Sequence, residues 1–144
     1  MFIGEYLHKV DAKGRIAIPY RFRKVLKGQA VAAKGLMDKC LFIYSKEEWE
    51  KLAQKLSSLP ISDPKARAFA RLIFSQAVEV GFDRQGRILL PNFLRDYAGI
   101  KGEAVISGVY QRLEIWDKKA WDNYKILNEK ESTNLSKHLE ELGI

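Results

Sequence analysis

The sequence predicts an α+β fold made from two copies of one unit. Three observations predict it. A nine-residue segment recurs at half the chain length. Within each copy, short β-forming runs alternate with helical spacing of apolar residues. The 144 residues are 47% hydrophobic and 11% aromatic, enough to build a core and to exclude global disorder. One compact domain, or two small fused units, fits this length.

The recurring segment is Asp11-Ala12-Lys13-Gly14-Arg15-Ile16-Ala17-Ile18-Pro19, matched by Asp83-Arg84-Gln85-Gly86-Arg87-Ile88-Leu89-Leu90-Pro91 at an offset of 72 residues. Between residues 11–23 and 83–95, six of 13 positions are identical, Arg23 and Arg95 being the last. The match continues through Gly28–Val31 against Gly102–Val105 and Leu41–Tyr44 against Leu113–Trp116, and reaches Trp49 against Trp121. Self-similarity of this kind marks a repeated supersecondary unit. It divides the chain into a first repeat (1–57), a linking helix (58–76), a second repeat (77–127) and a tail (128–144).

In the first unit, Glu5–Val10 contains β-formers in short alternation and predicts a strand. Asp11–Gly14 predicts a turn, because an Asp side chain accepts from backbone N–H groups ahead of it and Gly takes positive φ freely. Arg15–Ile18 predicts a second strand, ended by Pro19. Phe22 and Leu26, four apart, predict a short helix stopped by Gly28. Strands are expected at Ala30–Ala33 and Leu41–Tyr44. Ser45 and Glu48 form a capping box for a helix carrying Trp49, Leu52 and Leu56. Ser62 or Asp63 caps the linking helix, with Pro64 at its first position. Asp117 caps the second unit's counterpart helix, which carries Trp121. In the tail, Leu135, Leu139 and Leu142 give a short amphipathic helix that frays or meets a partner.

Charge is informative once it is divided. The chain has 25 Lys+Arg against 18 Asp+Glu, a net +7. Residues 1–72 carry +8 and residues 73–144 carry −1. Residues 9–27, around the first turn, carry +6, whereas residues 81–99, around the second, carry +1. A basic excess of this size is compatible with nucleic acid, and neutralising phosphates supplies much of DNA affinity.

Other functions find little support. The longest stretch without a charged residue is Ala104–Gln111, eight residues, far short of the about 20 that a membrane span needs. No secretory leader is visible, so a soluble cytoplasmic protein is expected. Cys40 is the single cysteine, which excludes a disulfide framework within the chain. It reads as a small buried residue before a strand, and His8 as a partly buried imidazole with no ligand partner. No phosphate-binding glycine loop or nucleophile elbow is present. The expectation is therefore a non-enzyme without metal or cofactor.

The duplicated D-x-x-G-R-I-x-x-P unit, opened by Met1-Phe2-x-Gly4-Glu5, is similar to the MraZ family. His8, Arg71–Ala77 and Glu114-Ile115-Trp116 also match, and the likeness runs to about Leu127. The resemblance implies AbrB-like halves interlocked into a pseudo-twofold swapped-hairpin β-barrel with flanking helices. It also implies a transcriptional regulator, a repressor of its own division and cell-wall gene cluster. Such a protein would sit in the cytoplasm with the nucleoid and bind double-stranded DNA at short promoter repeats as a ring-shaped homo-oligomer.

A two-stranded ribbon fits the major groove, and Arg pairs with guanine O6 and N7. Arg15, just after Gly14, is placed for that base contact, Lys13 for a neighbouring guanine or a phosphate, and the resemblance agrees at these three positions. Lys9 adds positive charge to the same turn and is expected to bind DNA with it. Arg21, like Lys24, is expected to meet the DNA backbone or another subunit. At the near-neutral second turn, Arg84, Gly86 and Arg87 form a secondary contact or an interface. Arg23 and Arg95 belong with this secondary DNA contact or interface, and their match across the repeat favours a shared fold role, such as an interface salt bridge, over base reading. The competing reading for Arg15 and Arg87 is a local ion pair with the Asp four residues earlier. Trp49 and Trp121 read as helix packing, and Tyr44 and Trp116 as core or interface. Two other functions stay open: an antitoxin-like AbrB-type regulator without the ring, and a basic scaffold binding RNA or an acidic partner.

Overall fold

The computed structural model describes residues 1–144. The first half runs β1 (Phe2–Lys9), β2 (Arg15–Ala17), α1 (Tyr20–Leu26), β3 (Gln29–Lys34), β4 (Leu41–Ser45) and α2 (Lys46–Ser57). α3 (Pro64–Ser75) links it to β5 (Val78–Gly81), β6 (Arg87–Leu89), α4 (Asn92–Ala98), β7 (Glu103–Tyr110), β8 (Arg112–Asp117) and α5 (Lys118–Lys130). α6 (Ser132–Glu141) closes the chain. No helix is long and apolar enough to cross a membrane.

The two halves interleave. A six-stranded antiparallel sheet has the order β1-β7-β8-β4-β3-β5, and β2 pairs with β6 in a separate ribbon. Each half thus gives its opening strand to the other: β1 lies on β7, and β5 lies on β3. β4 and β8, equivalent in the repeat, pair at the centre. β1 and β5 are edges and do not meet, so the hydrogen-bonded sheet is open and not a closed barrel. The bridge Val10–Ile16 joins the end of β1 to the ribbon.

The core follows the repeat register. Ile16, Ile18, Phe22 and Leu26 are buried, as are Ile88, Leu90, Leu94 and Ala98, each 72 residues later. Pairing β2 with β6 places Ile16 opposite Ile88, so the ribbon's inward residues meet on the pseudo-twofold. Burying such side chains is worth roughly 1.5–3 kcal/mol each.

The caps follow from the sequence. Ser45 Oγ accepts from Glu48 N at 3.2 Å, Asp117 from Ala120 N at 3.2 Å, and Asp63 from Lys65 N at 3.0 Å with Pro64 at the first position of α3. Trp49 packs on Tyr44 at 5.8 Å between centroids, and Trp121 on Trp116 at 5.3 Å, so both tryptophans lock their helices to equivalent strands. Cys40 is buried, as expected, and His8 is half-buried.

The end of α1 departs from expectation. The left-handed stop falls on Lys27 (φ 54°), one residue before Gly28, where the second unit has Gly99 (φ 65°). β1 also begins earlier than its alternation predicts, at Phe2, because all eight of its residues are in register with β7.

Candidate nucleic-acid interface

Each recurring turn is built around its aspartate. In the first, Asp11 Oδ1 accepts from Lys13 N at 3.0 Å and Arg15 N at 2.9 Å. Asp11 Oδ2 accepts from Arg15 Nε at 2.6 Å. The second turn repeats the pattern: Asp83 Oδ1 accepts from Gln85 N and Arg87 N, both at 2.9 Å, and Oδ2 from Arg87 Nε at 2.8 Å. The backbone N–H of Arg15, then its guanidinium, holds the Asp11 carboxyl below the usual carboxylate range. Arg87 does the same for Asp83. The local ion pair read as the competing role of these arginines is therefore formed in both turns.

The ribbon brings the two turns together. Leu90 N donates to Gly14 O at 2.9 Å, and Ile18 N to Gly86 O at 3.0 Å. Arg87 Nη1 lies 3.7 Å from Asp11 Oδ2, across the units. Lys13 is exposed on the first tip, and Arg84 and Gln85 on the second. The tips form one surface, with Arg15 and Arg87 half-buried at its base.

The two guanidiniums are not equivalent. Arg15 commits Nε to Asp11, and its two terminal nitrogens have no partner in the chain. Arg87 commits Nε to Asp83 and turns Nη1 toward Asp11. A guanidinium held through Nε presents the Nη edge that pairs with two acceptors at once.

The glycines of the turns are buried because arginines cover them. A β-carbon on Gly14 (φ +88°) would lie 2.6 Å from Arg95 Cζ, and one on Gly86 (φ +74°) 2.5 Å from Arg23 Cζ. Each arginine belongs to the other unit. No carboxylate of the same chain lies within ion-pair range of Arg23 or Arg95. Their planar faces lie on the peptide backbone of Gly14 and Gly86. Arg95 donates from Nε to Leu90 O at 2.9 Å and from Nη2 to Asn92 Oδ1, whereas Arg23 Nε is buried without a partner.

Two other predicted residues lie apart from these contacts. Lys9 ends β1, exposed and in register with Glu103. Arg21 is exposed on α1 and donates to the Tyr6 hydroxyl at 3.1 Å. Asn92 and the cross-unit reach of Arg87 to Asp11 were not anticipated. The one sequence signal for the cross-unit packing is that the identical arginines and identical glycines recur at the same offset.

A family model described as MraZ protein, and likened there to antitoxins, matches residues 1–72 and again residues 73–142. The chain belongs to the MraZ family. The boundary between its two matches falls inside α3, and each match contains one Asp–Arg turn. Among MraZ relatives, Transcriptional regulator MraZ of Thermomicrobium roseum is 53% identical over 121 residues, covering 84% of each chain. Proteins of the same name from Desulfitobacterium hafniense and Acetivibrio thermocellus are 49% and 48% identical over 144 residues, the full length of both chains in each case.

Proposed function

We propose that this protein is a sequence-specific DNA-binding transcriptional regulator, without enzymatic activity, that represses its own division and cell-wall gene cluster. The observation that carries this reading is the unpartnered Nη edge of Arg15, on a turn whose surroundings carry +6. An arginine edge of this kind pairs with guanine O6 and N7. Lys13, exposed at the tip, takes a neighbouring guanine or phosphate. Gly14 keeps the turn narrow. Lys9 and Arg21 add phosphate contacts or meet another subunit. Arg84, Gly86 and Arg87 stand at the secondary contact, with Arg87 partly neutralised by two aspartates.

A ring of identical subunits would present several Arg15 tips. Short direct repeats spaced by about one helical turn place successive sites on one face of the duplex. Weak single contacts then multiply through effective concentration. The family name and the printed names of the relatives support the regulatory part of this reading.

Fluorescence polarisation on a duplex with several repeats tests it. The wild type should bind several repeats tightly and a single repeat poorly. Arg15→Ala, folded and assembled normally, should lose that binding; unchanged affinity would reject the assignment. Binding that falls off steeply with salt and ignores sequence would point to the scaffold reading instead.

A further inference from the structure

We infer that Arg95 is a positioning residue for the DNA-reading turn of the opposite unit. The inference rests on the proposed role of Arg15. Arg95 starts from α4 of the second half, and its guanidinium ends on Gly14 of the first. Its Cζ, Nε and Nη2 lie 2.6, 2.6 and 2.8 Å from the point where a β-carbon of Gly14 would stand. Three near-equal distances mean that the flat face, not an edge, covers the turn. Gly14 supplies the opening, and Arg95 fills it.

The arginine is itself held. Nε donates to Leu90 O, and Leu90 N donates to Gly14 O. The chain of contacts therefore runs from Arg95 through Leu90 to the turn and back. One residue further on, Arg15 is tied to Asp11, which also faces Arg87. The orientation of the Arg15 edge thus depends on a side chain whose own Nε and Nη2 are committed to Leu90 and Asn92.

The mirror arrangement is weaker. Arg23 covers Gly86, but its Nε is buried and unpartnered, and its guanidinium is steadied by the Tyr20 ring, 5.3 Å away. The better-anchored cover lies on the more basic turn. This asymmetry assigns the positioning role to Arg95 over the first turn ahead of Arg23 over the second.

The test compares Arg95→Lys with wild type, Arg23→Lys and Arg15→Ala on the multi-repeat duplex. Lysine keeps the charge and loses the plane. Arg95→Lys should keep its circular dichroism spectrum yet bind DNA about tenfold more weakly or worse, on the scale of one lost bidentate base contact. The slope of log affinity against log salt should not change, because no phosphate contact is removed. Arg23→Lys should lose less. Asn92→Ala, which loosens Arg95 without removing it, should weaken binding in the same direction, and it keeps the test available if Arg95→Lys does not fold. The backbone amide resonance of Gly14 should move in Arg95→Lys without any DNA present, which separates this inference from the DNA reading. If wild type fails to bind the duplex while the Gly14 resonance moves, the DNA reading fails and the positioning contact stands. A Gly14 resonance that stays in place, wild-type affinity in Arg95→Lys, or a salt slope reduced by about one charge in Arg95→Ala would overturn the inference.

Discussion

Arg95 lies flat on Gly14, and its counterpart Arg23, 72 residues earlier, lies on Gly86, 72 residues after Gly14. Each half of the chain closes the turn of the other, so neither turn is complete within its own repeat. The glycines serve two purposes at once. Their positive φ suits the turn, and their lack of a β-carbon admits the arginine. Gly14→Ala should therefore destabilise the protein by about 1–3 kcal/mol, through left-handed strain and displacement of Arg95. Gly28→Ala, also at positive φ (+82°) but with nothing within 4 Å of the new carbon, should lose only the strain component. Urea denaturation of both variants checks the difference; equal losses would show that the cover over Gly14 contributes nothing.

Arg15→Ala and Arg87→Ala should behave differently despite their equivalent positions. Arg15 has a free Nη edge, and Arg87 shares its charge between Asp83 and Asp11. Removing Arg15 should reduce operator affinity by about 1–3 kcal/mol per engaged tip, the range for a bidentate base contact. Removing Arg87 should cost less affinity and more stability, because Asp83 and Asp11 both lose a cation. Parallel polarisation and thermal-melting measurements decide; a larger affinity loss in Arg87→Ala would reverse the order of the two tips.

Lys27 occupies a left-handed position, φ 54°, that its counterpart fills with Gly99. A side chain there costs roughly 1–2 kcal/mol, part of which glycine regains and part of which its greater unfolded-state freedom cancels. Lys27→Gly should raise stability by about 0.5–1 kcal/mol. The substitution removes one positive charge from an exposed site, so a shift of the denaturation midpoint should come with at most a small change in DNA affinity.

The repeat comparison shows what a sequence of this kind discloses. The turns, their aspartates and the capping residues Ser45, Asp63 and Asp117 were legible because each acts within four residues of itself. Burial of Phe22 and Leu26 was legible from spacing alone. The role of Arg23 and Arg95 was not. Their identity across the repeat signalled a shared function, but an arginine without a nearby carboxylate suggests a salt bridge to somewhere, and only the interleaved pairing of β2 with β6 reveals backbone as the partner. The early start of β1 at Phe2 was hidden for a similar reason, since pairing with β7 and not local alternation makes it a strand. Sheet closure was implied by resemblance alone, and the strand order leaves β1 and β5 as edges.

Cys40 should be chemically silent in the native protein. Its side chain is fully buried, and burial, followed by the nearby Glu114 and Asp38 charges, pushes the thiol well above its usual range. Only the thiolate reacts with alkylating or disulfide reagents. Labelling near pH 8 should proceed at the rate of local or global opening and accelerate when denaturant is added. Fast labelling under native conditions would mean that the loop from Gly35 to Cys40 opens freely.

Acid should loosen the reading turn in a defined direction. The Asp11 carboxyl titrates below its ordinary value of about 3.9, chiefly because the backbone N–H of Arg15 donates to it. A depressed folded-state value means that the aspartate's contribution to stability is fully present above the unfolded value. It is lost as pH falls through the folded one. From pH 7 down to about 5 this contribution should stay constant, and below about 4 it should fade. Asp83 and Glu5 shift in the same direction and add to the overall acid sensitivity, so Asp11 must be isolated by difference. Asp11→Asn keeps one acceptor for the backbone but cannot accept from Arg15 Nε and carries no charge. Its urea midpoint should fall below that of the wild type at pH 7, and the gap should shrink as the pH drops below about 4, because protonation removes the same interaction from the wild type. A gap that stays constant or widens on acidification would place the role of Asp11 in its shape and not in its charge.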